Sequence, residues 1–121
     1  MQKLIFIIDD NDANLTAAAS ALENEFNALT MPSAQKMFSM LGKKKADLII
    51  LDIEMPEMTG LEAIVKLKEN PEWKDIPVLF LTGYSDEKLL SDARQAGALD
   101  VINKPIIAKK LITIVKKYMD I

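Results

Sequence analysis

Three nearly continuous apolar runs, Lys3–Ile8, Asp47–Leu51 and Pro77–Leu81, are separated by stretches whose apolar residues recur with helical period. That alternation constrains the fold more than any other feature of the chain. A short run without polar interruption reads as a strand covered on both faces, as in a parallel sheet. Asn27–Met31 and Asp100–Asn103 are shorter and more mixed, which suits sheet edges. Between the runs, Leu15, Ala18, Ala19 and Leu22 recur at helical spacing, and Ser33 is placed to cap a helix reaching about Gly42. Thr59-Gly60-Leu61-Glu62 is a capping box, with Ile64 and Val65 expected to face the core. Asp86 or Ser85 caps a helix through Leu89, Leu90 and Ala93 that stops near Gly97, and a last helix is expected to bury Leu111, Ile114, Val115 and Tyr118. Five strand–helix pairs joined by right-handed crossovers give a three-layer α/β sandwich around a parallel sheet.

A chain of 121 residues, half of them hydrophobic, fits one such domain spanning 1–121. The apolar run at the N-terminus is too short for a signal-peptide core or a bilayer span, so a soluble cytoplasmic protein is expected. A net charge of −3 gives no general attraction to nucleic acid or to an anionic membrane. The absence of cysteine excludes disulfides and thiolate metal sites. Histidine is absent too, so any phosphohistidine chemistry needs a histidine from another protein.

The polar residues that carry chemistry stand at strand ends. Asp9 and Asp10 follow the first strand, Asp52 ends the third, Thr82 ends the fourth, and Lys104-Pro105 follows the fifth. In an open α/β sheet the ligand crevice lies outside the carboxyl ends of the strands, so these residues gather on one edge. A like-charge pair ~4 Å apart costs about 1 kcal/mol in water and about 4 kcal/mol at an effective dielectric of about 20. A hard divalent cation relieves such a cluster, and an all-oxygen ligand set suits Mg²⁺. A lysine and a hydroxyl on the same rim can bind phosphate oxygens, and a carboxylate can itself become an acyl phosphate. Phosphoryl transfer asks mainly for positioning and charge neutralisation.

Each feature alone has an ordinary explanation. An Asp pair can open a loop before a helix, Asp52 can be a turn residue, Thr82-Gly83 a strand exit, and Lys104 a solvated lysine. Their joint occurrence, in order and at the right strand ends, is what these explanations do not cover. Met37, Met40, Met55 and Met58 read as packing residues, and Lys43–Lys45 as a solvated loop.

The order Asp9-Asp10, Asp52-Ile-Glu-Met-Pro-Glu-Met-Thr-Gly60, Thr82-Gly83, Gly97-Ala98 and Lys104-Pro105 resembles the receiver domains of two-component response regulators, over nearly the whole chain from about Lys3. The resemblance implies a flavodoxin-like (βα)5 fold with strand order 2-1-3-4-5. It also implies that Asp52 accepts the phosphoryl group and that Asp10 ligates Mg²⁺ directly, with Asp9 acting through water. The backbone carbonyl of Glu54 would complete the protein ligands. Thr82 would hydrogen-bond the phosphoryl group and move towards it, and Lys104 would pair with the phosphate. A cis Lys104–Pro105 bond would aim that lysine. The implied function is a phosphorylation-dependent switch, not an enzyme beyond its own phosphoryl uptake and autodephosphorylation. Its implied partners are a sensor histidine kinase or histidine phosphotransfer protein and a downstream protein target, without direct nucleic-acid or membrane binding. No output domain is expected, so the chain signals by binding a partner or is part of a longer regulator.

Two positions depart from the family pattern. Val101 stands where many receivers carry a Tyr or Phe that rotates on phosphorylation, and valine is too stiff to make that swing. Tyr84 is the candidate to carry part of the signal instead. Ile106 replaces the phenylalanine often found after Lys-Pro. Ile106, Ile107, Ile112 and Met119 among Lys109, Lys110, Lys116 and Lys117 suggest a surface that dimerises or binds a target. A competing reading is an aspartate-dependent phosphohydrolase with Glu54 as acid/base, although the surrounding residues do not match. A flavin carrier on the same fold is disfavoured, because Asp9-Asp10-Asn11-Asp12 would repel a phosphate.

Overall fold

The computed structural model describes residues 2–84 and 86–119. Along them strands and helices alternate: β1 (Leu4–Ile8), α1 (Asp12–Leu22), β2 (Asn27–Met31), α2 (Ala34–Leu41), β3 (Leu48–Asp52), α3 (Gly60–Glu69), β4 (Val78–Thr82), α4 (Glu87–Ala96), β5 (Asp100–Asn103) and α5 (Ala108–Met119). The strands form one parallel sheet in the order β2-β1-β3-β4-β5. The mixed segments β2 and β5 are its edges, and the most apolar segments lie inside, as their composition requires.

The pleat sorts the apolar side chains into two slabs. Ile5, Ile7, Leu48, Ile50, Leu79 and Leu81 pack with Leu15, Ala18 and Leu22 of α1 and Leu111 and Val115 of α5. Phe6, Ile8, Ile49, Leu51, Val78 and Phe80 pack on the other face, with Met37 of α2, Ile64 and Leu67 of α3 and Ala93 of α4. Each large apolar side chain buried this way contributes about 1.5–3 kcal/mol. Among the described residues no helix is long and apolar enough to cross a membrane.

The strands begin one residue later than the apolar runs. Lys3 is exposed, and Asp47 meets Leu4 twice, its carboxylate accepting from the Leu4 N–H at 2.7 Å and its own N–H donating to the Leu4 carbonyl at 2.8 Å. Ser33, Thr59 and Asp86 each cap their helix through a side-chain oxygen that accepts from the N3 backbone N–H. The other candidate cap, Ser85, lies outside the described residues. Gly97 ends α4 at φ 111°, a conformation that favours glycine.

Three expectations about the helix faces need correction. Val65 is 51% exposed. The buried stripe of α3 is Gly60, Ala63, Ile64 and Leu67, and the residue after Ile64 lies about 100° further round the helix. Ile114 and Tyr118 are only partly buried, and the Tyr118 hydroxyl lies 3.0 Å from Asp100 Oδ2. That contact and burial together hold its pKa above the usual 10.0, with burial the larger cause. Finally, Ile106, Ile112 and Met119 pack against the α1–α5 slab, and Lys116 pairs with Glu25 at 2.7 Å. Ile107, 50% exposed, is the large apolar residue that this region leaves open.

Candidate functional site

Parallel strands in register deliver their last residues to one edge. Ile8 lies opposite Leu51, so Asp9 emerges beside Asp52. Asp52 lies opposite Leu81, and Thr82 opposite Asn103, which places Lys104 next. Backbone bonds continue the ladder past the strands: Asp9 N–H to Met31 O at 3.2 Å, Ile53 N–H to Leu81 O at 3.0 Å, and Lys104 N–H to Thr82 O at 2.8 Å. The turn after β3 is held against the strand by Gly60, whose N–H bonds the Ile53 carbonyl at 2.9 Å. A Cβ at Gly60 would stand 2.5 Å from the Asp52 carbonyl oxygen, so only glycine fits this approach.

Asp9, Asp52 and Thr82 are buried polar residues, whereas Asp10 is exposed. Asp9, Asp10 and Asp52 each offer a carboxylate oxygen, and these oxygens lie within 4.8 Å of one another. Lys104 Nζ sits between two of the groups, 3.1 Å from Asp9 Oδ2 and 3.0 Å from Asp52 Oδ1. Asp9 is further anchored: Oδ1 accepts from the Asn11 N–H at 2.9 Å and Oδ2 from Asn14 Nδ2 at 3.1 Å.

Asp52 differs. It is 0% exposed, yet neither of its carboxylate oxygens has a hydrogen-bond partner among the described residues. Its close cationic partner is Lys104, whose ammonium lies 3.0 Å from Oδ1, so Oδ2 is the oxygen left without a partner among the described residues. Burial pushes the Asp52 carboxyl up to about 6. The charges of Asp9 and Glu54 push the same way, and Lys104 opposes them. Burial of the Lys104 ammonium acts to lower its pKa, but Asp52 and Asp9 outweigh this and hold it above 10.5.

A buried carboxylate with an oxygen left unpartnered is costly. One carboxylate oxygen from each of Asp9, Asp10 and Asp52 gives the hard, anionic donor set that suits a small divalent cation. The same site keeps a fixed ammonium beside the carboxylate, which an incoming anion requires.

On the neighbouring strand, the Thr82 hydroxyl donates to Glu54 Oε2 at 2.8 Å and accepts from the Tyr84 N–H at 3.0 Å. The Gly83 N–H donates to Glu54 Oε1 at 3.1 Å. The Tyr84 ring is 65% exposed, Val101 packs against the α2–α3–α4 slab, and the Lys104–Pro105 bond is cis. The edge thus gathers Asp9, Asp10, Asp52 and Lys104 into one constellation. Thr82 and the Glu54 side chain form a second pair beside it.

Residues 5–116 match the sequence profile of the response regulator receiver domain. The chain belongs to this family. Relatives of this receiver domain include a probable cyclic di-GMP phosphodiesterase of Vibrio cholerae, 35% identical over 87% of the chain. The chain spans only 24% of that protein's length. The polar-differentiation response regulator DivK of Brucella ovis is 29% identical over 98% of both chains. The crystal structure of a response regulator from Thermotoga maritima superposes with a TM-score of 0.90 at 30% identity, covering all of both chains. The receiver fold and phosphorylation-dependent signalling therefore apply to this chain.

Sequence reasoning did not single out Asn14, the contacts of the Glu54 side chain with Thr82 and Gly83, or the close approach at Gly60. Asn14 was detectable in principle, because Asn11 caps α1 and a polar residue at N3 can reach back towards the preceding strand. The direction of the Glu54 side chain has no periodic signature, since it lies in a loop.

Proposed function

We propose that this receiver domain takes a phosphoryl group from a phosphohistidine of a sensor histidine kinase or histidine phosphotransfer protein onto Asp52. The observation that carries the reading is the buried Asp52 carboxylate, with Oδ1 facing Lys104 and Oδ2 unpartnered among the described residues, beside two further aspartates. One Asp52 oxygen bonds to phosphorus as the P–N bond breaks, and the bonding pair returns to the donor imidazole. Lys104 offsets the negative charge that arrives. The Thr82 hydroxyl and the Gly83 N–H are the nearby donors for phosphoryl oxygens. Asp9, Asp10, Asp52 and the backbone carbonyl of Glu54 would hold Mg²⁺. When bound, Mg²⁺ supplies neutralisation of the carboxylates and of the transferring group. Water attack on the acyl phosphate returns Asp52 to its free form, so turnover is limited to the domain's own phosphorylation cycle.

The phosphoryl group biases an equilibrium between two conformations that bind a downstream protein differently. Tyr84 is assigned part of that change, because its N–H is bonded to the Thr82 hydroxyl and Val101 offers no ring to rotate. Ile107, with Lys109 and Lys110, is assigned to the partner surface or to a second copy of the chain. The reading places the protein in the cytoplasm, acting as one domain over 1–121.

The test is incubation with a small acyl phosphate and Mg²⁺, followed by intact mass. One phosphoryl adduct is expected on the wild type and none on Asp52→Asn. An adduct that survives this substitution would move the acceptor elsewhere.

A further inference from the structure

Two donors on consecutive residues, the Thr82 hydroxyl and the Gly83 N–H, converge on one carboxylate, that of Glu54. A hydroxyl and a backbone amide arranged to grip two oxygens of one anion form a small oxyanion receptor. They are also the donors closest in the chain to the strand end beside Asp52. We propose that the Glu54 carboxylate is a built-in stand-in for the phosphoryl group, latching Thr82 and Gly83 in the resting state until a phosphoryl group on Asp52 displaces it. This rests on the reading of Asp52 as acceptor and adds a positioning residue to it.

Three features suit Glu54 to a removable latch. It is attached two residues beyond Asp52, so it stays near the site whichever way its side chain points. It is only partly buried, so the freed carboxylate can return to water without the desolvation cost that Asp52 bears. The loop it holds has room to shift, since a Cβ built at Gly83 would meet nothing within 4 Å. Release also has a consequence along the chain. The Thr82 hydroxyl that turns away from Glu54 breaks with the Tyr84 N–H as well, which frees the backbone beneath an exposed ring.

A latch and simple charge repulsion make different predictions. Repulsion depends only on the negative charge near Asp52. A latch depends on the length of the side chain, because both donors must be reached at once. Glu54→Asp keeps the charge and loses the reach, whereas Glu54→Gln and Glu54→Ala lose the charge.

The experiment uses the whole domain with Mg²⁺ and beryllofluoride, a non-hydrolysable phosphoryl mimic. It reads mimic affinity together with the Gly83 amide resonance. Under the latch, all three variants bind beryllofluoride more tightly, by about tenfold, the size of one charge-assisted hydrogen bond. Their mimic-free Gly83 amide also loses the low-field shift that a carboxylate acceptor imposes. Wild-type behaviour of Glu54→Asp beside tighter binding by the two neutral variants overturns the latch in favour of repulsion. Unchanged affinity in all three overturns both. Failure of the wild type to take a phosphoryl group on Asp52 would be a failure of the acceptor reading, a separate result.

Discussion

At the scale of single residues, the site is organised around a carboxylate that the fold places where it is uncomfortable. Asp52 titrates near 6 when folded, against 3.8 for the free side chain, chiefly because it is buried. Since the folded state holds the proton more tightly, this group's contribution to stability is complete below about pH 4. It is lost as pH rises through about 6. The metal-free wild type should therefore lose stability between about pH 4 and pH 6 relative to Asp52→Asn, by on the order of 1–3 kcal/mol. Urea unfolding of both proteins in EDTA across that range measures the difference, and parallel curves would show that Asp52 carries no such penalty. Asp9, Asp10, Asp52 and Lys104 were legible in the sequence because each stands directly after an apolar run, so strand registry alone sends them to one edge. The Glu54 contacts were not legible, and the Asn14 contact was signalled only by its N3 position after the Asn11 cap. They depend on which way a loop or first-turn side chain turns, and no repeat in the sequence encodes that.

At the scale of elements, the turn from β3 into α3 does more than connect them. Gly60 lets that turn lie against the carbonyl of Asp52. Gly60→Ala should destabilise the domain by about 2–4 kcal/mol and lower phosphoryl uptake, because the added methyl must push the end of β3 out of place. Denaturant midpoints and the acyl-phosphate assay read the two effects, and an alanine variant with wild-type stability and uptake would refute the steric argument. The same helix separates a correct from an incorrect sequence reading. Ile64 and Val65 look alike as neighbouring β-branched residues, but only Ile64 falls on the buried stripe. Ile64→Ala should cost about 2–5 kcal/mol, whereas Val65→Ala should be neutral or slightly stabilising through its better helix propensity, as thermal or chemical unfolding would reveal. The capping residues Ser33, Thr59 and Asp86 were readable because a cap is a local chemical signal. The strand starts were displaced by one residue, since the apolar runs do not mark the first ladder position, and at β3 it is the Asp47 side chain that takes up the Leu4 N–H.

For the whole molecule, alternation of strands and helices in a short chain was enough to fix a layered α/β sandwich. The order of the strands was not derivable from that pattern, since crossover handedness leaves more than one arrangement. It came from the family resemblance, and the sheet has that order. The same architecture concentrates unbalanced negative charge at one edge, so a divalent cation should stabilise the entire fold. With Mg²⁺ at about ten times its dissociation constant the expected gain is about 1.4 kcal/mol. Melting temperature should rise with Mg²⁺, fall back with EDTA and respond far less in Asp52→Asn. A melting curve indifferent to Mg²⁺ would argue against the proposed ion site.

The division of the core into two slabs gives the molecule a sidedness. Along β4, Val78 and Phe80 face the α2–α3–α4 slab while Leu79 and Leu81 face α1 and α5. Thr82 is next in that alternation and continues the Val78–Phe80 row, whereas Asp52 on β3 falls in the row of Leu48 and Ile50. The domain is thus built like a two-sided relay. Chemistry that begins on the side sharing its layer with α1 and α5 is felt by a hydroxyl whose row belongs to the opposite layer, so reception and readout can occupy different faces of one thin sheet.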